Sequence, residues 1–406
     1  MARILTTPRL VTCDPERATR ADPLGVIEDA AIVIAEGLVL AVGKRAEILA
    51  GYANFPVDHA ASLITPGLVD AHTHAPWMGS RDGEYALRMA GAGYEEIAAA
   101  GGGIVASMRA VRAASVENIA AELKARLRRM AALGVTTVEA KSGYGLDEAS
   151  ERKQLEAIAE AANEADLPRV VPTYLALHAL PPEAAGDRDA YAATVAAKWL
   201  PAIAAAGLAR FVDVYVDRAA FSVAQARPVL LRARELGLGL RLHVGQFADV
   251  GGAELAAELR ASSVDHLEIV GQSGIAALAL AGVRAVLLPV ASFTLRQVPP
   301  PIAALRAAGV PLVVASDANP GTAPTESLPL ALALAVRSYG LSPAEALLGA
   351  TREAAASLGL ADVTGALRPG LAADLVGWDL PHESAIVQPW GTRRTITVLR
   401  AGRPLV

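Results

Sequence analysis

The strongest constraint on the fold is a regular alternation of short apolar runs with Ala-, Leu- and Glu-rich helical stretches. About eight such strand–helix units in about 300 residues predict an α/β fold, a (β/α)8 TIM-type barrel. A doubly wound open sheet is the alternative. Helices are expected between the strands, for example over residues 116–133 and 148–165. The predicted strands are residues 63–71, 135–141, 169–178, 211–216, 240–243, 263–266, 283–289 and 311–317.

Polar residues stand where these predicted strands end. In a barrel, the carboxyl ends of all the strands open onto one face, and barrel active sites form there. This placement favours the barrel over the open sheet and predicts an active site on that face. The residues are His72, His74, Lys141, His178, His243, His266 and Asp317.

The two ends of the chain have a different pattern, with short β-like runs separated by turns. Runs at 31–34 and 38–42 near the start resemble runs at 373–378 and 395–399 near the end. We expect both ends to pair into one small β-sandwich. The predicted domains are therefore residues 1–62 with 360–406, and a barrel over residues 63–359.

Charge and composition exclude several classes of partner. The formal net charge is -5 and the pI about 5.9, with no basic run, which argues against a nucleic-acid or anionic-membrane partner. Cys13 is the only cysteine, so no disulfide framework is expected and a cytoplasmic location fits. The start of the chain lacks the apolar region of a signal peptide. No apolar run reaches the roughly 18 residues that a membrane-spanning helix needs.

Four of the strand-end residues predict a metal site. His72 and His74 are two apart, so on a strand they point to the same face. An isolated His-x-His is more often a surface pair, but here His243 and Asp317 occupy equivalent positions. Imidazoles and one carboxylate suit a borderline metal ion, and four protein ligands leave room for a water. A bound metal would lower the pKa of that water toward about 7.

Other residues are candidates for proton transfer and substrate binding. Asp317 is a candidate to take a proton from the water, and His266 to orient the water or polarise the substrate. His178 is a candidate hydrogen-bond donor to the substrate. Lys141 at first suggests a second metal, but a single metal with Lys141 paired to a carboxylate is the better interpretation. Arg81, on the loop after the first barrel strand, is a candidate clamp for a substrate carboxylate. A turn of Asn319, Gly321 and Thr322 directly follows Asp317, and its exposed backbone N–H groups would suit carboxylate or amide oxygens.

The chain resembles the amidohydrolase superfamily and, within it, the imidazolonepropionase family. Residues 66–74 (Pro-Gly-Leu-Val-Asp-Ala-His-Thr-His) resemble the superfamily as a whole. The resemblance runs from about residue 60 to 360 and is weak in the terminal β regions. The narrower matches are segments 94–97, 101–104, 141–146, 178–182 and 316–322.

This resemblance implies hydrolysis of 4-imidazolone-5-propanoate to N-formimidoyl-L-glutamate in histidine breakdown. It implies one metal ion, Zn2+ or Fe3+, in a barrel flanked by a small β-sandwich, and the sequence does not choose between the two metals. A homodimer is expected for such folds. The implied metal ligands are His72, His74, His243 and Asp317. The implied substrate contacts are Arg81, Tyr94, Tyr144, His178, Gln246, Asn319, Gly321 and Thr322.

The chain departs from the family pattern after His243. The family usually has an acidic residue at the position of Gly245, and Gln246 stands where a glutamate might. Gln246 lies in a catalytic loop, but its neutral side chain cannot act as a general base. Asp317 and His266 are therefore the candidates for proton transfer. Two alternatives remain. One is a different enzyme, either a purine or pyrimidine aminohydrolase or another cyclic amidase. The other is a non-catalytic barrel protein. Arg81 and the turn at 319–322 favour a small anionic cyclic amide as substrate.

Overall fold

The computed structural model describes residues 2–93, 96, 102–184, 186–218, 220–388, 390 and 392–405. Its strands, in chain order, are Arg3–Val11 (β1), Val26–Ala35 (β2), Leu38–Lys44 (β3), Val57–His59 (β4), Leu63–Pro66 (β5), Leu68–Asp70 (β6), Val135–Lys141 (β7), Arg169–Leu177 (β8), Phe211–Val216 (β9), Gly239–Val244 (β10), Ser263–His266 (β11), Arg284–Leu287 (β12), Leu312–Val314 (β13), Leu375–Trp378 (β14), Thr395–Arg400 (β15) and Arg403–Pro404 (β16).

Helices connect and flank these strands. The α-helices of the described residues are Arg45–Gly51 (α1), Asp82–Met89 (α2), Ile104–Ala113 (α3), Val116–Ala132 (α4), Glu148–Ala162 (α5), Arg188–Thr194 (α6), Leu200–Ala205 (α7), Val223–Glu235 (α8), Gly252–Glu258 (α9), Gln272–Ala281 (α10), Pro289–Leu295 (α11), Ile302–Ala308 (α12), Leu328–Tyr339 (α13), Pro343–Gly349 (α14) and Arg352–Ser357 (α15). A π-helical segment, Val195–Trp199, joins α6 to α7, and short 3-10 helices cover Pro182–Ala184 and Glu383–Val387.

The central sheet is the predicted barrel. Strands β6 to β13 lie side by side in chain order, and every pair between neighbours is parallel. The chain after β13 then closes the circle against the chain after β6. The backbone N–H of Asp317 donates to His72 O at 3.1 Å, and that of His74 donates to Ala318 O at 2.9 Å. The α/β barrel is confirmed, and the open-sheet alternative is not.

Several helices have a side-chain cap at the N-terminal end and one buried apolar face. In α4 the Ser115 side chain accepts from the Asn118 N–H, and α8 starts with a capping box formed by Ser222 and Gln225. The buried face of α4 includes Leu123 and Leu127, which are four residues apart and so lie on the same side of the helix. Among the described residues, no helix is both long enough and apolar enough to span a bilayer.

One predicted strand, residues 63–71, is in fact two. β5 pairs antiparallel with β14 in the terminal sheet, whereas β6 pairs parallel with β7 in the barrel. Gly67 lies between them, and a Cβ there would be 2.1 Å from Thr136 Oγ1. Only glycine lets the chain pass this close to β7, so the change of sheet occurs at this residue.

The terminal strands form a second sheet, in the order β16-β15-β14-β5-β1-β2-β3, with β4 pairing to the other part of β1. The N- and C-terminal segments meet where β5 pairs with β14. An apolar cluster that includes Ile32, Ile64 and Leu375 holds the sheet together. The division into residues 1–62 with 360–406 and residues 63–359 stays a proposal.

Candidate metal centre and active site

Four ligand atoms converge at the carboxyl ends of the barrel strands. Nε2 of His74 lies 3.3 Å from Nε2 of His72 and 3.4 Å from Nε2 of His243. Oδ1 of Asp317 lies 3.5 Å from Nε2 of both His72 and His74. Ligands at about 2.0–2.1 Å from a tetrahedral metal are about 3.3 Å apart, so these separations fit one metal ion.

Barrel closure brings Asp317 to the two histidines that follow β6. The carboxylate of Asp70, at the end of β6, accepts hydrogen bonds from Ser316 N at 3.0 Å and from Ser316 Oγ at 2.6 Å. Asp317 itself has a left-handed backbone, with φ of 56°, a conformation that side-chain-bearing residues seldom adopt. The hydrogen bonds between Asp70 and Ser316, directly before Asp317, therefore hold the backbone from which the Asp317 carboxylate reaches the histidines.

Two buried aspartates fix the orientation of the histidine rings. His72 Nδ1 lies 2.6 Å from Oδ2 of Asp265, and His243 Nδ1 lies 3.0 Å from Oδ1 of Asp213. Because an ionised carboxylate only accepts, each Nδ1 carries the hydrogen and each Nε2 keeps its lone pair for the metal. Burial lowers the pKa of both histidines well below the usual value, so the rings are neutral. This donor set fits a divalent metal ion.

Asp317 and His266 are the two groups placed for proton transfer. Burial raises the pKa of Asp317 to about 7, although the nearby His266 lowers it. Burial alone would lower the pKa of His266, but the charges of Glu268 and Asp317 outweigh it and the pKa is raised. His266 Nδ1 lies 3.6 Å from Oε2 of Glu268.

A hydrogen-bonded chain holds Glu268 beside His266. Its Oε1 accepts from Ser292 Oγ at 2.5 Å, and Ser292 Oγ lies 2.5 Å from the hydroxyl of Tyr339 in α13. His266 and Leu267 have φ of 86° and 69°, so the chain reverses after β11 and brings Glu268 back to its own histidine. The sequence did not indicate that Glu268, Ser292 and Tyr339 belong to this site.

The predicted substrate residues surround a pocket above the metal ligands. Six of the eight predicted substrate residues line it, and Gly321 is not among the lining residues. Three further lining residues, Ile104, Tyr215 and Phe247, were not candidate site residues from the sequence. Tyr94 and most of segment 94–101 lie outside the described residues. The lining residues are His74, Arg81, Ile104, Tyr144, His178, Tyr215, His243, Gln246, Phe247, His266, Asp317, Asn319 and Thr322.

His178 faces this pocket as an acceptor, whereas the sequence suggested a donor. Its Nδ1 lies 2.7 Å from the carbonyl oxygen of Gly143, which can only accept, so Nδ1 carries a hydrogen. Burial lowers the pKa of His178 to about 4, and the neutral ring keeps a lone pair on Nε2. The ring stacks on His74 at 5.3 Å between centroids. His178 therefore suits a substrate N–H group.

The glycine-rich turn that carries Tyr144 is held by a buried carboxylate. Glu151 of α5 accepts hydrogen bonds from the backbone N–H groups of Gly143, Gly145 and Leu146 at 2.7, 2.7 and 2.8 Å. A Cβ on Gly145 would lie 2.5 Å from the Glu151 nitrogen, so glycine is needed there. The Tyr144 ring lies 5.8 Å from that of His74 and 5.3 Å from that of His178.

Arg81 lies in the pocket wall, already paired with an acid of α2. Its Nε donates to Oε2 of Glu84 at 2.8 Å, and a Cβ on Gly321 would lie 2.3 Å from Arg81 Nη1. Gly321 thus makes room for the guanidinium. The backbone N–H groups of Gly321 and Thr322 donate to Asn319 Oδ1 at 2.8 and 2.7 Å. They are used within the turn and are not exposed as expected.

The family profile described as "Amidohydrolase family" matches residues 63–405, which include all four metal ligands. The chain belongs to the amidohydrolase family. An imidazolonepropionase of Polaromonas sp. is 47% identical over 384 residues, or 94% of this chain and 90% of that protein. An imidazolonepropionase of Mesorhizobium japonicum is 45% identical over 92% of this chain and 93% of that protein. An imidazolonepropionase of Acidiphilium cryptum is 47% identical over 93% of each chain.

Several solved structures share the fold at lower identity. A triazine hydrolase variant has a TM-score of 0.76 at 19% identity, covering 100% of this chain and 94% of its own. Guanine deaminase of E. coli has a TM-score of 0.75 at 16% identity, covering 100% and 99%. An adenosine deaminase of Xanthomonas campestris with bound zinc has a TM-score of 0.73 at 20% identity, covering 99% and 92%.

The residue after Val244 in this amidohydrolase has to be glycine for steric reasons. Gly245 has φ of 66°, and a Cβ there would lie 2.3 Å from the carbonyl oxygen of Ile269. The backbone N–H of Ile269 also donates to Gly245 O at 2.7 Å. The segment after β11 therefore packs directly on Gly245, and an acidic side chain does not fit at this position.

Several residues of the centre were missed because they lie inside strands. Asp213 and Tyr215 are two apart on β9 and share its inner face, while Asp265 directly precedes His266. A charged residue within an otherwise apolar strand is a signal in itself, since burying a charge requires a partner. Asp213, in the run Phe-Val-Asp-Val-Tyr-Val, carries that signal.

Proposed function

We propose that this chain hydrolyses 4-imidazolone-5-propanoate to N-formimidoyl-L-glutamate, a ring-opening step of histidine degradation. The observation that carries the proposal is the 47% identity over 94% of the chain to a protein named imidazolonepropionase. The convergence of His72, His74, His243 and Asp317 supports it, because the hydrolysis needs an activated water.

A bound metal supplies the Lewis acidity that makes water a nucleophile near neutral pH. Water adds to the ring carbonyl carbon, the bond from that carbon to the ring nitrogen breaks, and the nitrogen receives a proton. We assign the proton transfer to Asp317, whose Oδ1 lies within 3.5 Å of two of the ligand nitrogens. His266, held against Glu268, faces the same space and polarises the carbonyl.

The pocket side chains orient the ring and its propanoate arm. His178 accepts from a ring N–H, and Gln246 donates to an acceptor on the ring, since its own oxygen is bonded to Tyr215. Tyr144 packs against the ring beside His178. Arg81 pairs with the substrate carboxylate through the guanidinium edge that Glu84 leaves free. Asn319 and Thr322 shape the wall next to Arg81, and Tyr94 stays a proposed contact.

We further propose a single metal ion, Zn2+ or Fe3+, bound by the three histidines and Asp317. Neutral imidazole and carboxylate accept both metals. A homodimer and a cytoplasmic location complete the proposal. The buried free thiol of Cys13 is compatible with a reducing compartment.

The experiment is an activity screen of the purified protein with metal content measured in the same samples. Turnover of 4-imidazolone-5-propanoate should exceed that of hydantoin, dihydropyrimidines, adenine and guanine, with formimidoylglutamate as the product. A chelator should abolish turnover and added Zn2+ or iron should restore it. Faster release of ammonia from a purine or pyrimidine would instead favour an aminohydrolase. Absence of turnover on every ring, with metal bound, would leave a non-catalytic barrel protein.

A further inference from the structure

A layer of buried charges lies directly beneath the metal ligands. The side chain of Lys141, at the end of β7, is fully buried. Its Nζ lies 2.8 Å from Oε1 of Glu139, 2.8 Å from Oδ2 of Asp213 and 3.8 Å from Oδ2 of Asp265. The expected pairing of Lys141 with a carboxylate is confirmed, and three acids surround one ammonium.

Three of the neighbouring groups could themselves hold a metal ion. The candidate ligand atoms of Asp213, His243 and Asp265 all lie within 4.8 Å of one another, and all three side chains are buried. The Nε2 of His243 faces His74 while its Nδ1 lies 3.0 Å from Asp213, so His243 would belong to both centres only as an imidazolate, after Nδ1 gives up its hydrogen. Carboxylates and an imidazole are ligands that Zn2+ and similar metals accept.

The ammonium of Lys141 already lies where such a second metal ion would bind. Metal–oxygen bonds are about 2.0–2.2 Å long, so an ion bound to Asp213 and Asp265 would lie against the ammonium that contacts both. Two cations in contact in a dry interior repel each other strongly. We propose that the ammonium of Lys141 takes the place of a second metal ion between Asp213 and Asp265 and so limits the centre to one metal.

Arg241, the other buried cation of the layer, does not have the same position. Its Nη2 donates to Ala71 O at 2.8 Å and lies 3.4 Å from Oδ2 of Asp265, and its Nη1 donates to Ser357 O at 3.3 Å. Its Nε also lies 4.0 Å from Oε1 of Glu139, but among the described residues Arg241 forms no ion pair with Asp213. Burial alone would lower the pKa of Lys141, but Asp213 and Glu139 outweigh it and raise the pKa, which supports an ammonium.

The test is the number of metal ions per chain in Lys141→Met, with Arg241→Met as the matched control. Both variants lose one buried positive charge, but only the first vacates the position between Asp213 and Asp265. After dialysis against Zn2+ and removal of the excess, elemental analysis should give two ions per chain for Lys141→Met, and one each for the wild type and Arg241→Met. One ion in a folded Lys141→Met, or two in the wild type or in Arg241→Met, would overturn the proposal.

Lys141→Met leaves three buried carboxylates with one cation and is at risk of misfolding. The variant Lys141→Met/Glu139→Gln removes one charge of each sign and keeps Asp213, His243 and Asp265, so it should fold and also bind two ions. One ion in this double variant, or failure of both variants to refold with excess Zn2+, would contradict the idea that a metal can replace the ammonium. The inference rests on the metal site proposed above. A wild type that binds none would refute that site separately.

Discussion

The hydroxyl of Tyr215 donates a hydrogen bond of 2.7 Å to Oε1 of Gln246, and both side chains line the pocket. This bond fixes which end of the amide is left for the substrate. With Oε1 bonded to Tyr215, the NH2 group of Gln246 is the end left to donate to the proposed substrate ring. A neutral side chain at this position is thereby made a hydrogen-bond donor, which a glutamate would not be.

Tyr215→Phe should therefore lower kcat/KM by about 2- to 12-fold, the effect of one net hydrogen bond. The loss should disappear when Gln246 is already alanine, because the bond then has no partner. Tyr174→Phe is the control, since Tyr174 is buried on the adjacent strand β8 and its hydroxyl has no hydrogen-bond partner within the described residues. Equal losses from Tyr215→Phe in both backgrounds would show that Tyr215 does not act through Gln246.

Replacing His72, His74 or His243 with alanine should remove most of the bound metal and most of the activity. Each supplies one of the converging Nε2 atoms. Metal per chain by elemental analysis is the measurement, with His59→Ala as the control because His59 is exposed on β4 of the terminal sheet. Retention of metal at the wild-type ratio in all three variants would refute the assignment.

Arg81→Ala should weaken turnover of the propanoate substrate by about 10- to 100-fold in kcat/KM, since a hydrogen bond to a charged group is worth about 1.5–3 kcal/mol. The control is a ring without a carboxylate, such as hydantoin, on which the same variant should be nearly unimpaired. A similar loss on both rings would mean that Arg81 supports the loop through Glu84 and does not bind the carboxylate.

Asp317→Asn should keep the fold and lower kcat by roughly 100-fold or more, because the amide cannot take up the water proton. The acidic limb of the pH–rate profile should disappear with it, since that limb reports protonation of the group that acts as base. His266→Ala should lower kcat but keep the limb. The reverse result, with the limb lost only in His266→Ala, would make His266 the base.

Gly245→Ala should destabilise the fold more than Gly237→Ala. Both glycines have positive φ, 66° and 78°, which costs an alanine about 1–2 kcal/mol. Gly237 has open space around it, whereas a Cβ on Gly245 would lie 2.3 Å from Ile269 O, and that overlap adds about 1–3 kcal/mol. Thermal midpoints of the two variants should differ accordingly, and equal midpoints would show that the segment at Ile269 yields freely.

Most of the barrel could be predicted because its signals are local. The strands β7 and β9 and the helix α4 have bounds within a residue of those expected from apolar runs and flanking polar residues. The segment 63–71 was misread because β5 and β6 are one continuous apolar run. Which sheet each half joins depends on partners far away in the chain, Leu375–Trp378 for β5 and Val135–Lys141 for β6.

The sequence by itself determined that His72, His74, His243 and Asp317 share one face, since in a parallel barrel every strand ends on the same side. Only the tertiary structure decided which atom of each side chain points inward. His72 is oriented by Asp265, 193 residues away, and the buried Lys141 is placed by Asp213, 72 residues away. Whether two such residues form a hydrogen bond depends on differences of a few tenths of an ångström in their separation. Periodicity along the chain carries no information at that scale.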